Sequence, residues 1–574
     1  MTTLIIIVGF LIYLILYFTY GKKLERDVVI ASDNNEAPSQ RLYDGVDYIS
    51  ARREVLFGHH FASIAGAAPI IGPALAICWG WAPALLWVWF GNIFIGAVHD
   101  YLSLMASVRY DGKSIQFVAT DLMGKKTGYA FYWIVFFLLI LVVAAFAAIV
   151  GGMFVRTPAI ASAYAWKIAA ALILGVLMYR LKMNFGVATI IGIIMLGCAI
   201  WLGTVTPITM TYTAWMWVFF FYIIIAAAIP VNVLLQPRDY LNSWLLYAGL
   251  VLGFIAAIFA FRGFEVPAFS SFSPVLLGGK PTPFWPAIPL VIACGSLSGF
   301  HSLVASGTTS KQLDKESSGL MIGYGAMFTE GFLSTIVIVS IAGFGYTALQ
   351  NAGVTTETLN PGNWGAMFTK ASASVKLSRA NLFVQSYADM VGVTWLGFIP
   401  TKFVKVIAGM WVASFAMTTL DTTNRLARYC LSEMALPFKE SAEGFYNILT
   451  NRWVASVIPA AIGIWLASSG NWLIIWGSFG AANQLIASIA LMTGAAFVAK
   501  KLKSSFANAA VIPAWLLWIT VTAALVWFIA VVQPGAIAAK PGPGWTVMVI
   551  LIIMLLLNFI FIADFIRTKA YKVE

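Results

Sequence analysis

An ionisable side chain inside an apolar chain is costly to bury and is read first as a functional candidate. This sequence holds few of them. His59 and His60 open one apolar stretch, and His99 and Asp100 lie about two turns before Arg109, roughly 12 Å into another. The two pairs fall at similar depth on adjacent stretches, so a contact of Asp100 with His59 or His60 is expected. An imidazole beside a carboxylate exchanges protons near neutral pH, which suits proton coupling. The alternative is a neutral His and a capping Asp that only fix packing. Glu330, in GYGAMFTEGFLS, sits about eleven residues into a further stretch, near its middle, and is either a proton carrier or a structural acid. His301, in SGFHSL, is placed to touch a substrate or to titrate. Asp421 and Arg425 have the four-residue spacing of a local ion pair on one helical face. Arg425 and Arg428 are otherwise placed to gate an inner mouth or hold an anion. Ser302, Ser306, Thr308 and Thr309 offer hard oxygen donors of the kind that ligate Na⁺, and they are equally ordinary helix-packing residues.

The elements that position these groups are two interrupted apolar spans. Residues 57–79 carry Gly66, Pro69, Gly72 and Pro73 in their middle, around Ala67. Residues 287–305 break into Gly295, Ser296, Ser298 and Gly299. Proline removes a backbone donor and clashes with the preceding turn. An unpaired backbone group cannot face lipid, so such breaks are buried in protein or line a cavity. Two interrupted spans at corresponding places in two halves are the strongest sequence pointer to a transporter's substrate site. Gly66, Ala67, Pro69, Gly72, Gly295, Ser296, Ser298, Gly299 and His301 are therefore the candidate substrate contacts. The segments 66–73 and 295–302 are expected to be non-helical and to face each other across a cavity.

The remaining composition agrees. Of 574 residues 61% are hydrophobic and 10% charged, against about 25% charged in soluble domains, and the mean hydropathy is +0.87. About fifteen stretches meet the roughly 20-residue length of a membrane helix, among them 3–20, 214–234 and 453–468. The first lacks the charged leader and small-residue cleavage site of a signal peptide and is read as a spanning helix. With the N-terminus outside and the C-terminus inside, 25 of the 35 Lys and Arg, Arg238 and Arg425 among them, fall on the inner side. The two interrupted spans then run in opposite directions, as an inverted repeat requires. The +12 charge is spread over short loops, which argues against nucleic acid as a partner. Cys78, Cys198, Cys294 and Cys430 show no metal-ligand spacing and read as small apolar residues. No cofactor or metal is called for, beyond Ser306, Thr308 and Thr309 as weak Na⁺ ligands. Walker A, HExxH and GxSxG patterns are absent, which argues against an ATP-driven pump and against an enzyme.

The stretches YDGVDYISARREVLFGHHFASIAGAAPIIGPALA, WGWAPALLWVWFGNIFIGAVHDY, ACGSLSGFHSLVASGTTSKQL, GYGAMFTEGF and FAMTTLDTTNRLARYCLSE resemble the carbon starvation protein A family of bacterial membrane transporters. The resemblance covers roughly 43–500. It implies uptake of peptides, or in some members pyruvate, under nutrient limitation. It also implies a LeuT-like core of two inverted repeats within the amino acid–polyamine–organocation superfamily. The segment after about 510 matches nothing recognisable.

The expected protein is all-α and polytopic. It has a spanning helix and basic inner segment at 1–56, a first core half at 57–261, a proline-rich outer loop at 262–286, a second core half at 287–510, and peripheral helices at 511–574. A second outer segment, 350–402, is expected to hold an interfacial helix near 379–396. The function expected is secondary active import of a small solute across the bacterial inner membrane by alternating access, driven by H⁺ with Na⁺ as the other candidate. Peptide is the leading substrate. A pyruvate symporter and a channel or nutrient sensor of transporter ancestry are the alternatives.

Overall fold

The computed structural model describes residues 1–44, 48–229, 234–354, 379–469 and 472–573, except for the side chains of 179, 236 and 472–474. Long apolar runs leave the backbone no partner but itself, so they close into helices. In chain order these are α1 (Thr2–Leu16), α2 (Arg53–Ile64), α3 (Ala68–Ala76), α4 (Trp81–Arg109), α5 (Lys125–Arg156), α6 (Pro158–Gly175), α7 (Phe185–Val205), α8 (Tyr212–Ala228) and α9 (Leu235–Phe259). They continue as α10 (Phe284–Val291), α11 (Gly299–Gly307), α12 (Ala326–Asn351), α13 (Arg379–Gly392), α14 (Thr401–Met434), α15 (Arg452–Ser468), α16 (Trp472–Ala496), α17 (Asn508–Trp527) and α18 (Pro541–Arg567). The only extended pairing among the described residues is an isolated bridge between Val275 and Pro281.

Helix starts follow local chemistry. Asn184, Thr211 and Asn451 each place a side-chain oxygen on the free N–H groups of the first turn of α7, α8 and α15, and Pro158 sits where α6 needs no donor. Among the described residues, eleven helices are long and apolar enough to cross a membrane, or thirteen if each of two bent pairs is one span. The expected fifteen is larger by 214–234 and 287–305. The first forms a 17-residue helix, α8, too short for that test, and the second is split into α10 and α11 by seven non-helical residues, 292–298.

Burial sorts the helices into centre and rim. The apolar windows of α5 and of Ile475–Lys501 are 94% and 100% buried inside the protein, whereas those of Thr2–Val29, α7 and α18 are 22%, 28% and 39% buried. The rim helices show Leu4, Phe18, Ile190 and Leu556 outward, as expected of a surface that meets lipid. The two segments expected on the outer side both pack into the protein. The 262–286 loop folds onto the end of the first broken helix, with Trp81 and Ala82 donating to the Pro267 and Ala268 carbonyls and Ser270 donating to that of Trp79. That approach needs glycine at 80, where φ is +111° and a Cβ would collide with the Ala268–Phe269 backbone. The expected interfacial helix is instead the buried α13, with Phe383 and Tyr387 packed against Trp411 of α14; residues 355–378 of that segment lie outside those described.

Candidate substrate and coupling site

The first broken span is α2 plus α3, bent by 49° at residues 65–67. Only Gly66 and Ala67 of the expected 66–73 break are non-helical, because Pro69 falls in the first turn of α3, where proline costs no hydrogen bond. Gly72 and Pro73 are helical as well. In the second span the break covers 292–298, and Gly299, His301 and Ser302 already belong to α11. Gly295 takes a φ of +84°, open to glycine at little cost.

The two spans lie antiparallel and in contact. His60 Nδ1 is 2.8 Å from Thr309 Oγ1 at one end. In the middle, a Cβ on Gly295 would sit 3.5 Å from the Pro69 Cα. At the far end, a Cβ on Gly72 would come within 2.8 Å of the Val291 carbonyl oxygen. The breaks thus pack on each other instead of facing across a cavity. Their freed backbone groups are taken by side chains. Asn483 Nδ2 donates to the Ala293 carbonyl at 2.5 Å, and its Oδ1 accepts from Phe300 N at 2.9 Å and Ser298 Oγ at 3.1 Å. Gln484 donates to the Leu297 carbonyl at 2.9 Å, Asn92 to that of Gly295 at 2.8 Å, and Ser334 to that of Pro69 at 2.8 Å. The Phe300 N–H in the first turn of α11 is therefore held by Asn483. Ser296 folds back onto the Ile292 carbonyl, and Gly66 faces Thr419 Oγ1 and Phe146.

The buried charges gather at this crossing, with a partner different from the one expected. Asp100 Oδ2 pairs with His301 Nδ1 at 2.8 Å and its Oδ1 with His99 Nδ1 at 2.7 Å. His301 Nε2 lies 3.6 Å from Glu330 Oε2. All four residues have no exposed surface. Asp100 bonds neither His59 nor His60. His60 is turned to Thr309, and His59 Nδ1 lies 3.8 Å from Asp239 Oδ2. The second broken span lies between the two pairs and takes the contacts expected between them. Neither oxygen of Glu330 accepts a hydrogen bond, and Cys294 Sγ joins the Glu330 and His301 atoms within 4.8 Å, so this cysteine is more than apolar filler. Asp100, His301 and Glu330 bring α4, α11 and α12 together around buried titratable groups.

Two further expectations change. Asp421 does not pair with Arg425. It pairs with the buried guanidinium of Arg238 and accepts from Tyr222 at 2.8 Å. Arg425 instead donates to the Ala226 and Ile229 carbonyls at 2.7 and 2.6 Å, and Arg428 lies 4.4 Å over the Tyr429 ring. Arg238, counted above as an inner loop residue, is fully buried in α9. The hydroxyls offered for Na⁺ do not converge: Ser306 and Thr308 bond the Ser302 and Val304 carbonyls, and Thr309 meets His60. A cavity of about 270 Å³ opens beside α2, α5, α11 and α14, lined by His59, Asp239, Lys311, Thr422 and Arg425 among others. It lies toward the His59 end, away from the breaks. Sequence reading missed Asn92, Asn483, Gln484, Lys167 and Asp239. The amides and Lys167 sit inside apolar runs, a signal as plain as that of Glu330. Asp239 follows a charged residue at a span edge and reads as loop.

Fold and site together define a multi-pass helical membrane protein organised around two broken, antiparallel helices that enclose buried charge. The chain belongs to the family described as carbon starvation protein CstA, whose model matches residues 1–524. It is 32% identical to a Bacillus subtilis protein named peptide transporter CstA, over 99% of this chain and 96% of that one. That alignment includes the helices after residue 510, which sequence reading left unmatched. It is 30% identical to the Escherichia coli peptide transporter CstA over 90% of this chain and 80% of that one. It is 28% identical to the Escherichia coli pyruvate/proton symporter BtsT, over 89% and 80%.

Proposed function

We propose that this protein imports small peptides across the cytoplasmic membrane, coupled to protons, by alternating access, in response to carbon starvation. The observation that carries the reading is the buried Asp100–His301–Glu330 chain, which bridges the second broken helix to its neighbours. His301 Nδ1 donates to Asp100, which leaves Nε2 opposite an unbonded carboxylate. Two acceptors at that distance repel unless a proton sits on one of them. Opening the crossing to either side of the membrane would expose or remove that proton, and a protonated and an unprotonated state can each favour one side. The relatives named peptide transporters support the substrate.

The finer architecture belongs to the same proposal. The two broken spans are the matching members of a LeuT-like inverted repeat, with fifteen spans, the N-terminus outside and the C-terminus inside. The substrate reaches Gly66, Ala67 and the 295–299 segment when the contacts between the breaks loosen. The 270 Å³ cavity is the inner vestibule of that path. H⁺ is the coupling ion, with Na⁺ as the alternative.

A second reading is a pyruvate symporter, favoured by the relative named pyruvate/proton symporter. Uptake of labelled tripeptide and labelled pyruvate by proteoliposomes, under separate H⁺ and Na⁺ gradients, tests both. Peptide accumulation driven by an inward H⁺ gradient supports the first reading. Pyruvate accumulation without peptide uptake supports the second. Downhill equilibration alone overturns active transport.

A further inference from the structure

The vestibule wall carries a carboxylate that the protein's own cations do not satisfy. Asp239 is 2% exposed. Its Oδ1 takes both donors of the adjacent Arg238, at 3.1 and 2.7 Å. The same guanidinium also serves Asp421, so one cation is shared between two buried carboxylates. The other buried cation nearby, Lys167, is committed to Asn242 Oδ1 and Ser414 Oγ, both at 2.6 Å. Among the described residues Asp239 Oδ2 accepts no hydrogen bond. It faces the cavity, with His59 Nδ1 3.8 Å away, beyond hydrogen-bonding reach. That oxygen is open to the cavity, and the space in front of it is where a cationic group fits.

We infer that Asp239 is a specificity-determining residue that binds the α-ammonium of a peptide in the vestibule. The inference rests on the peptide reading above and adds the group that tells a peptide from a monocarboxylate. The cavity, about 270 Å³, has room for roughly nine water-sized groups at about 30 Å³ each, enough for the N-terminal part of a short peptide. The opposite sign is supplied on the same walls by Lys113 and Lys311, whose ammonium groups are 5.9 and 5.5 Å from the Phe117 and Tyr48 rings. A zwitterion spanning the cavity meets both. A monocarboxylate has no group to offer Asp239 and leaves its Oδ2 without a donor, and a site built for a charged donor rejects ligands that lack it. Tyr48, His59, Arg425, Tyr429, Cys430 and Glu433 are the other titratable groups on these walls.

The test uses the full chain in proteoliposomes, with a labelled tripeptide and its N-acetylated form as probes. Acetylation removes the ammonium and is expected to raise KM for the wild type about tenfold or more, the scale of a lost charge-assisted hydrogen bond. Asp239→Asn should raise KM for the free peptide by a similar factor, and acetylation should then have no further effect. Asp239→Glu, which keeps the pairing with Arg238, should lie between. Equal KM for the two peptides in the wild type, or an acetylation effect undiminished in Asp239→Asn or Asp239→Glu, overturns the inference while leaving peptide transport intact. An acetylation effect absent in the wild type together with Na⁺ dependence lost in Asp239→Asn would assign the place to a metal cation and overturn it equally. Absence of any peptide uptake by the wild type overturns the peptide reading itself.

Discussion

At the scale of single residues, the centre of the molecule is an accounting of protons and carbonyls. His301 has one nitrogen on Asp100 and the other toward Glu330, and the groups that face this carboxylate are His301, Cys294, Asp100 beyond the imidazole, the Gly295 backbone and Tyr13. Asp100→Asn removes the anion that holds a proton on the imidazole. The pH profile of peptide uptake should move to lower pH, measured against wild type at matched protein density; an unmoved profile would make Asp100 a packing residue. Asn483 does a different job, closing the Ala293 carbonyl and the first N–H of α11 with one amide. Asn483→Ala orphans both, at about 1–3 kcal/mol for each buried group left unpaired. A lower melting temperature of the purified protein is the expected readout. The acids and histidines at depth were legible because a charge stands out in an apolar run. Their pairing was not, since it depends on which helix lies between, and Asp100 met His301 instead of His59 or His60.

At the scale of elements, the two broken helices were legible from glycine and proline, but the extent of each break was not. Proline reads as a breaker in sequence, yet Pro69 starts a helix and is harmless there. What sets the limits of the second break is the set of amides waiting on α16 and α4, which no local pattern in 287–305 reveals. The segment before α2 shows the same dependence on distant partners. Glu316, 1% exposed, accepts from Arg109, from Ser32 N at 2.9 Å and from Asn35 Nδ2 at 3.0 Å, so it anchors the 30–44 segment against α4. Glu316→Gln leaves Arg109 unpaired at a half-open site. It should cost about 1–3 kcal/mol, below the roughly 3–5 of a fully buried pair, and limited proteolysis should cut the 30–44 segment faster. Asp33 adds to this anchor, accepting from Ser317 N at 3.0 Å and Ser317 Oγ at 2.8 Å, which holds its carboxyl below the ordinary value. A lowered value means its share of the docking is present above the ordinary carboxylate range and is lost only as pH falls below it. Between pH 6 and 8 this anchor is constant, so a pH dependence of transport in that window does not come from it.

At the scale of the whole molecule, the apolar composition dictates many helices and little else. The order from α5 and α16 at the centre to α1, α7 and α18 at the rim follows from packing. Family membership places the chain among carbon starvation proteins, and its relatives differ in named substrate at nearly the same identity, 30% and 28%. Sequence identity therefore does not select the substrate, and we place that choice at Asp239. The coupling claim rests on the buried groups around His301. It is tested most directly by proton movement in proteoliposomes that enclose a pH-sensitive dye, with unlabelled peptide added outside. Wild type should acidify the lumen as peptide enters. Glu330→Gln, fully expressed and correctly folded, should still exchange labelled for unlabelled peptide but move no protons, with uptake flat across pH 6 to 8. Peptide-driven acidification that persists at the wild-type rate in Glu330→Gln would contradict the account.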